Sequence, residues 1–86
     1  MITEVEEKRV MTEREVNAEF DGKWVLLYKR DFPPSEDKGY LSAYGDGTPQ
    51  DRDALKAFNW DKYNGKARLM KGYTSKEGIM YGVYDC

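Results

Sequence analysis

The stretch Gly45-Asp46-Gly47-Thr48-Pro49 joins an alternating segment, Tyr40 to Tyr44, to the one strongly helical pattern of the sequence, Pro49 to Tyr63. Its threonine is a good helix N-cap, its proline suits the first helical position, and Asp51 stands at the third. Its two glycines allow backbone angles that other residues resist. The stretch therefore predicts a strand-to-helix turn, from which the remaining elements can be placed.

The helix that follows this turn has a narrow apolar stripe. Ala57 and Trp60 lie on the flank of the stripe, which consists of Ala54, Leu55, Phe58 and Tyr63. Asn64-Gly65 supplies the exit, because these residue types tolerate a left-handed backbone at a helix end. We expect the stripe, with Phe58 at its centre, to pack against a sheet.

A shorter helix is predicted before the first strong strand. Thr12 and Glu15 have the spacing of a capping box, which favours a helix from Glu13 to Phe20, with Gly22 available to end it. Residues 1–11 are acidic and weakly periodic. They fit a frayed tail, an edge strand or a poor helix, so they are treated as an N-terminal tail or edge segment.

Four segments have the composition of strands. Residues 23–29 are apolar on both sides, so this strand is either buried on both faces or partly covered by a helix. Residues 40–44 alternate cleanly and are expected to pair with it in an antiparallel hairpin across the proline-containing loop 31–38. Residues 66–73 and 79–84 predict a second hairpin with a polar turn.

The predicted fold class is α+β. The element order is α-β-β-α-β-β, with a mostly antiparallel sheet of about four strands and helices on one face. Residues 12–86 are expected to form a single domain, since a chain of 86 residues supports one thin core.

Composition excludes several kinds of site. The sequence has no histidine and a single cysteine, Cys86, which excludes zinc sites and Ser-His or Cys-His nucleophile pairs. No apolar run reaches the roughly 20 residues that cross a bilayer, and the N-terminus does not resemble a signal peptide. We therefore expect a cytoplasmic protein without a cofactor, bound metal or membrane contact.

The turn itself is a poor candidate for chemistry. A phosphate would be opposed by Asp46 and would lose one donor at Pro49, and no phosphate-binding glycine motif is present. Asp51 and Asp53 are explained as acids in the first helical turn, so a cation site is not expected either. The acids of the N-terminal third are expected on solvated surfaces. No catalytic residues are predicted, and the protein is expected not to be an enzyme.

Tyrosines are the most informative candidates for binding. Tyr40, Ser42 and Tyr44 alternate onto one side of their strand, and Tyr84 is expected on the same solvated face of the sheet. Either Arg68 and Met70 or Lys71 and Tyr73 are expected to join them there. Tyrosine combines a large contact area with a polar tip, so such a face suits docking of another protein. The alternative is that the rings only pair across strands and stabilise the sheet. The leading hypothesis is a small protein-binding module, regulator or inhibitor of bacterial or phage type, which is either a monomer or a homodimer.

A second hypothesis comes from the charge asymmetry. Residues 1–51 have a balance of −5 and residues 52–86 a balance of +3. Basic residues near aromatic rings in the C-terminal hairpin suggest weak binding of single-stranded nucleic acid, which the acidic first half would oppose. The candidate binding residues for the two hypotheses together are Tyr40, Tyr44, Arg68, Lys71, Tyr73 and Tyr84.

Overall fold

The computed structural model describes residues 1–33, 35–74 and 80–84, and for residue 74 and residues 80–84 it describes the backbone alone. Over these residues the chain forms two helices and six strands. Their order is β1 (Thr3–Glu4), β2 (Val10–Thr12), α1 (Glu13–Glu19), β3 (Trp24–Tyr28), β4 (Lys38–Gly45), α2 (Pro49–Tyr63), β5 (Arg68–Thr74) and β6 (Met80–Tyr84). The α+β class is confirmed, and from α1 onward the element order is the predicted one.

The strands form one mostly antiparallel sheet in the order β1-β4-β3-β5-β6, with β2 also paired to β4. Both predicted hairpins, β3-β4 and β5-β6, are present. The sheet has more strands than the four expected, because β1 and β2 follow one another along the outer edge of β4. Of the predicted turn after β5, residues 75–78 lie outside the described residues, as does Cys86.

The two helices cover opposite faces of the sheet. Val25 and Leu27 of β3 belong to the same buried cluster as Val16 of α1, whereas Leu26 belongs to the cluster of Leu55 in α2. The prediction that both helices lie on one face is therefore wrong. Its physical reason lies in β3, which is apolar on both sides, so each face of the central strand needs its own cover.

A β-bulge interrupts the pairing of β3 with β4. Leu26 is opposite Ala43 and Leu27 is opposite Leu41, so Ser42 is an extra residue in β4. Leu41 packs in the cluster on the α1 face and Ala43 in the cluster on the α2 face, although the two are separated by two positions. The bulge thus breaks the simple alternation that the sequence of β4 suggests.

The N-terminal signal of α1 is confirmed in detail. The Thr12 hydroxyl accepts a hydrogen bond from the backbone N–H of Glu15 at 3.1 Å, and the Glu15 carboxylate accepts one from the backbone N–H of Thr12 at 3.1 Å. This reciprocal pair satisfies two backbone donors that the helix itself leaves without partners. A helix of seven residues cannot persist in water alone, so α1 depends on its packing against the sheet.

The turn between β4 and α2 has the predicted N-cap, but its glycines are required by close packing and not by their backbone angles. The Thr48 hydroxyl accepts a hydrogen bond from the backbone N–H of Asp51 at 3.2 Å. Neither Gly45 nor Gly47 has a positive φ, so neither uses the backbone freedom that glycine allows. A Cβ atom on Gly47 would lie 2.2 Å from the carbonyl oxygen of Gly22. Close approach of two backbone segments, and not a special conformation, requires glycine here.

The buried side of α2 is partly different from the predicted stripe. Leu55 is fully buried and Asn59 is also buried, whereas Phe58 is half-buried and Ala54 is exposed. Both ends of the Asn59 amide bond the backbone of Ala67, whose N–H and carbonyl oxygen each lie 3.0 Å from it. A polar residue can occupy the centre of the interface because all its hydrogen-bonding groups there have partners.

Candidate functional site

The tyrosines of β4 do not share a surface. Tyr40 is opposite Tyr28, on the α2 side of the sheet, and its ring centroid lies 5.0 Å from that of Phe32. Tyr44 packs against the cluster on the α1 side, with its ring centroid 5.0 Å from that of Phe20. The expectation that they flank one solvated face is wrong, because the bulge at Ser42 lies between them.

The candidates on β5 are also divided between the faces. Arg68 is opposite Leu27, on the α1 side, while Lys71 and Tyr73 alternate onto the other side. The Lys71 ammonium lies 5.8 Å from the centre of the Trp24 ring, and Tyr73 is 43% exposed. These two residues are therefore close on one face, without Arg68. The side chain of Tyr84, the sixth candidate, lies outside the described residues.

Arg68 takes part in a compact group of charges beside the first turn of α1. One oxygen of Glu13 accepts hydrogen bonds from Lys29 at 2.9 Å and from Arg68 at 3.2 Å, and Lys29 also lies 3.6 Å from Asp37. Partial burial raises the pKa of the Asp37 carboxyl, the neighbouring Glu13 raises it further, and Lys29 lowers it. Glu13, expected on a solvated surface, is instead largely covered and positions two cations.

A second acidic side chain that is covered from solvent is Asp51, in the first turn of α2. Asp51 is only 4% exposed, and its two oxygens accept hydrogen bonds from the amino group of Met1 at 2.6 Å and from the backbone N–H of Asp46 at 2.7 Å. These two hydrogen bonds, that of Met1 first, lower the pKa of the Asp51 carboxyl. The arrangement gives Asp51 a structural role beyond its place in the first helical turn. Among the described residues, no three acidic or cysteine side chains converge as a metal site.

Cations from four parts of the chain converge on two adjoining hollows. The first, about 530 Å³, lies between α2 and β5, and the second, about 450 Å³, lies beside the loop after β3. Lys66 and Arg68 line both hollows, so the two adjoin at these residues. None of the described lining residues is acidic. We call this combined hollow the basic groove and define it by Lys29, Arg30, Phe32, Lys56, Trp60, Lys66 and Arg68.

Trp60 is the most exposed aromatic residue of the basic groove. Its side chain is 68% exposed, and a Cβ atom on Gly65 would lie 3.3 Å from three atoms of its ring. The glycine that ends α2 therefore lets one side of the indole lie against the turn. The remainder of the ring is open to solvent, although tryptophan is highly buried on average.

Sequence reasoning found only part of this groove. Of the residues that define the groove, the six predicted binding residues include Arg68 alone. The sequence places Trp60 only on the flank of the predicted apolar stripe and assigns it no role. The Asn64-Gly65 exit was the one local signal, since it turns the chain so that β5 runs beside α2.

Comparison of the chain with protein-family models, with curated proteins and with solved structures gave no match. Within the described residues, neither helix has the length and apolar character that crossing a membrane requires.

Proposed function

We propose that this protein is a non-enzymatic binding module whose partner is another protein, and that the partner places an acidic, extended segment in the basic groove. The observation that carries the proposal is the lining of the groove, which combines five cationic side chains, no described acid and the exposed ring of Trp60. A protein with a net charge of −2 has little general attraction for acidic chains. Binding would thus depend on this local concentration of positive charge.

Charge placement within the groove supports an extended ligand. Glu13 offsets part of the charge of Lys29 and Arg68, but it also holds both side chains in fixed positions. Lys56 adds positive charge along the α2 side and Arg30 along the loop side. A segment with acids spaced along its length can contact both hollows, whereas a compact anion can fill only one.

Trp60 provides the anchor that a charged groove lacks. Tryptophan is enriched among the residues that dominate binding energies, because it removes a large apolar area from water and keeps an N–H donor. The ring lies against Gly65 on one side, so part of its conformational freedom is already lost before binding. This proposal keeps the class of function expected from the sequence and moves it from the tyrosines to another surface.

The proposal is tested with a fluorescein-labelled, glutamate-rich peptide, followed by anisotropy at low and moderate salt. Binding should weaken as salt rises. Lys66→Glu should reduce the affinity about tenfold or more, because it adds a like charge where the two hollows meet. Trp60→Ala should reduce the affinity about thirtyfold, the effect of losing a binding hot spot.

Lys23→Glu is the matched control, since it makes the same charge change at an exposed residue that does not line the groove. It should leave the affinity within about twofold of the parent value, as expected of a charge that makes no direct contact. Equal weakening by Lys23→Glu and Lys66→Glu would mean that the peptide responds only to net charge. The groove would then not be the binding site.

Single-stranded nucleic acid is the second candidate. The specific observation in its favour is that the Trp60 ring lies against Gly65 on one side and is otherwise exposed. The exposed indole can therefore serve as a stacking platform for a base beside the cations of the groove. An oligothymidylate titrated under the same conditions separates the candidates. Tight binding of the oligonucleotide, lost in Trp60→Ala, together with no binding of the acidic peptide, would assign the groove to nucleic acid.

A further inference from the structure

A separate cleft on the α2 side of the sheet is rich in tyrosine. It has a volume of about 300 Å³ and lies between the end of α2, the paired strands β3 and β4, and the segment between β1 and β2. Three of its lining residues are Tyr28, Tyr40 and Tyr63. It shares no lining residue with the basic groove.

The fold brings these three rings together by strand pairing and helix length. Tyr28 and Tyr40 are direct partners across β3 and β4. Tyr63, the last residue of α2, stacks on Tyr28 with ring centroids 4.6 Å apart and an angle of 14° between the planes. The hydroxyl groups of Tyr63 and Ser42 are 2.7 Å apart, so the bulge in β4 also fixes the end of the helix.

Ammonium groups of the chain itself already lie on these rings. The Lys8 nitrogen is 5.1 Å from the centre of the Tyr40 ring, and the Lys62 nitrogen is 5.7 Å from that of Tyr63. Distances below about 6 Å permit attraction between a cation and the electron-rich face of a ring. Lys62 is also tied to Glu4 at 3.4 Å, so Lys8 is the ammonium that an external cation would replace.

The segment that carries Lys8 is arranged as a loop over the cleft. The Val5 N–H donates to the carbonyl oxygen of Ser42, and the Leu41 N–H donates to that of Arg9, both at 2.9 Å. The three residues between these two attachments are therefore outside the ladder. Two of them, Glu6 and Glu7, line the cleft together with Asp31, and place carboxylates near the rings.

We propose that this cleft binds an alkylammonium group, such as the end of a lysine side chain, on the face of Tyr40, with Lys8 as an internal competitor. The aromatic face supplies attraction to a cation that a neutral group of the same shape does not receive. The three acidic residues that line the cleft outnumber its two lysines, Lys8 and Lys62, so the cleft favours the same sign of charge. The cleft is thus opposite in preference to the basic groove, and its function does not depend on that of the groove.

The test uses butylammonium chloride and its neutral counterpart, 1-butanol, titrated into the protein and followed by NMR signals of the tyrosine rings. Butylammonium should shift the Tyr40 signals in a saturable way, and 1-butanol should not. Lys8→Gln should strengthen binding of butylammonium about two- to fivefold, because it removes the competing cation. Tyr40→Phe should retain binding, since it keeps the ring, and Tyr40→Leu should abolish it.

Tyr73→Leu is the matched control, because it removes an exposed tyrosine that does not line the cleft. Binding by this variant should equal that of the parent. Two results would overturn the proposal: similar shifts with 1-butanol, which would indicate an apolar pocket without charge preference, or an affinity that Lys8→Gln leaves unchanged or weakens. Amide signals across the sheet report whether each variant is folded, so loss of binding can be separated from loss of structure.

Discussion

The two helices meet the same strand, β5, in different ways. Helix α1 approaches so closely that a Cβ atom on Gly72 would lie 2.4 Å from the carbonyl oxygen of Phe20, and Asn17 accepts a hydrogen bond from the backbone N–H of Tyr73 at 3.1 Å. Helix α2 is also tied to the chain leading into β5 by an asparagine, Asn59. Beyond that attachment it stands apart from β5 and leaves the first hollow of the basic groove.

This difference separates a structural face from a binding face. A short helix has little stability of its own, so α1 depends on close contact with the sheet through its buried residues Val16 and Asn17. The fifteen residues of α2 include more side chains than the sheet can cover. The side chains of α2 that the sheet does not cover border the groove, and Trp60 is the largest of them. Surfaces that a fold does not need for its own stability are where a small domain can place a binding site.

The largest expected effect concerns which residue holds α2 in place. Leu55→Ala should lower the free energy of unfolding by about 2–5 kcal/mol, because the side chain is fully buried and its loss leaves a cavity. Phe58→Ala should cost less, since Phe58 is only half-buried. Urea denaturation of the two variants measures both values. The reverse order would mean that α2 packs through its Phe58 side, and the contrast between packed and open sides would fail.

The parts of this fold that the sequence predicts are those determined by residues close together in the chain. The start of α1 follows from Thr12 and Glu15, and the start of α2 from Thr48, because capping depends on residues within one turn of each other. The strands follow from their apolar content. Which face each helix covers is not local: it depends on β3 being buried on both sides and on the extra residue in β4.

A smaller effect should accompany a methyl group added at Gly72. Gly72→Ala should destabilise the protein by about 1–3 kcal/mol, because the new Cβ would meet backbone atoms of Phe20, which cannot move aside as a flexible side chain can. Hydrogen exchange should quicken in α1 more than in α2. Lys71→Ala, on the neighbouring residue and the other face, is the control and should leave exchange in α1 unchanged. Equal protection of α1 in both variants would contradict its close docking on β5.

The candidate site was less predictable than the fold, for a physical reason. The basic groove joins residues from the loop after β3, from α2, from the turn after α2 and from β5, which are distant in sequence and meet only after the helices have docked. Asn59 is buried, whereas a polar residue in a helix usually lies on the surface, so the sequence alone gives the wrong orientation for this part of α2. Once Asn59 is known to face Ala67, Trp60 must point away from the centre of the interface.

The smallest expected effect on stability is that of Trp60→Ala, and it bears most directly on the contrast between the helices. Trp60 is 68% exposed, so the change should alter the free energy of unfolding by no more than about 0.5 kcal/mol, helped by the higher helix propensity of alanine. Trp24→Ala is the matched change in the buried tryptophan, which is 7% exposed, and it should destabilise the protein strongly.

Thermal unfolding of the two tryptophan variants measures this difference. A tryptophan that contributes little to stability but much to peptide affinity would identify the outer side of α2 as a surface for binding. A large loss of stability in Trp60→Ala would instead mean that the ring supports the turn at Gly65. In that case the exposed side of α2 would also contribute to the stability of the fold, and the two helices would differ only in how much of their surface does so.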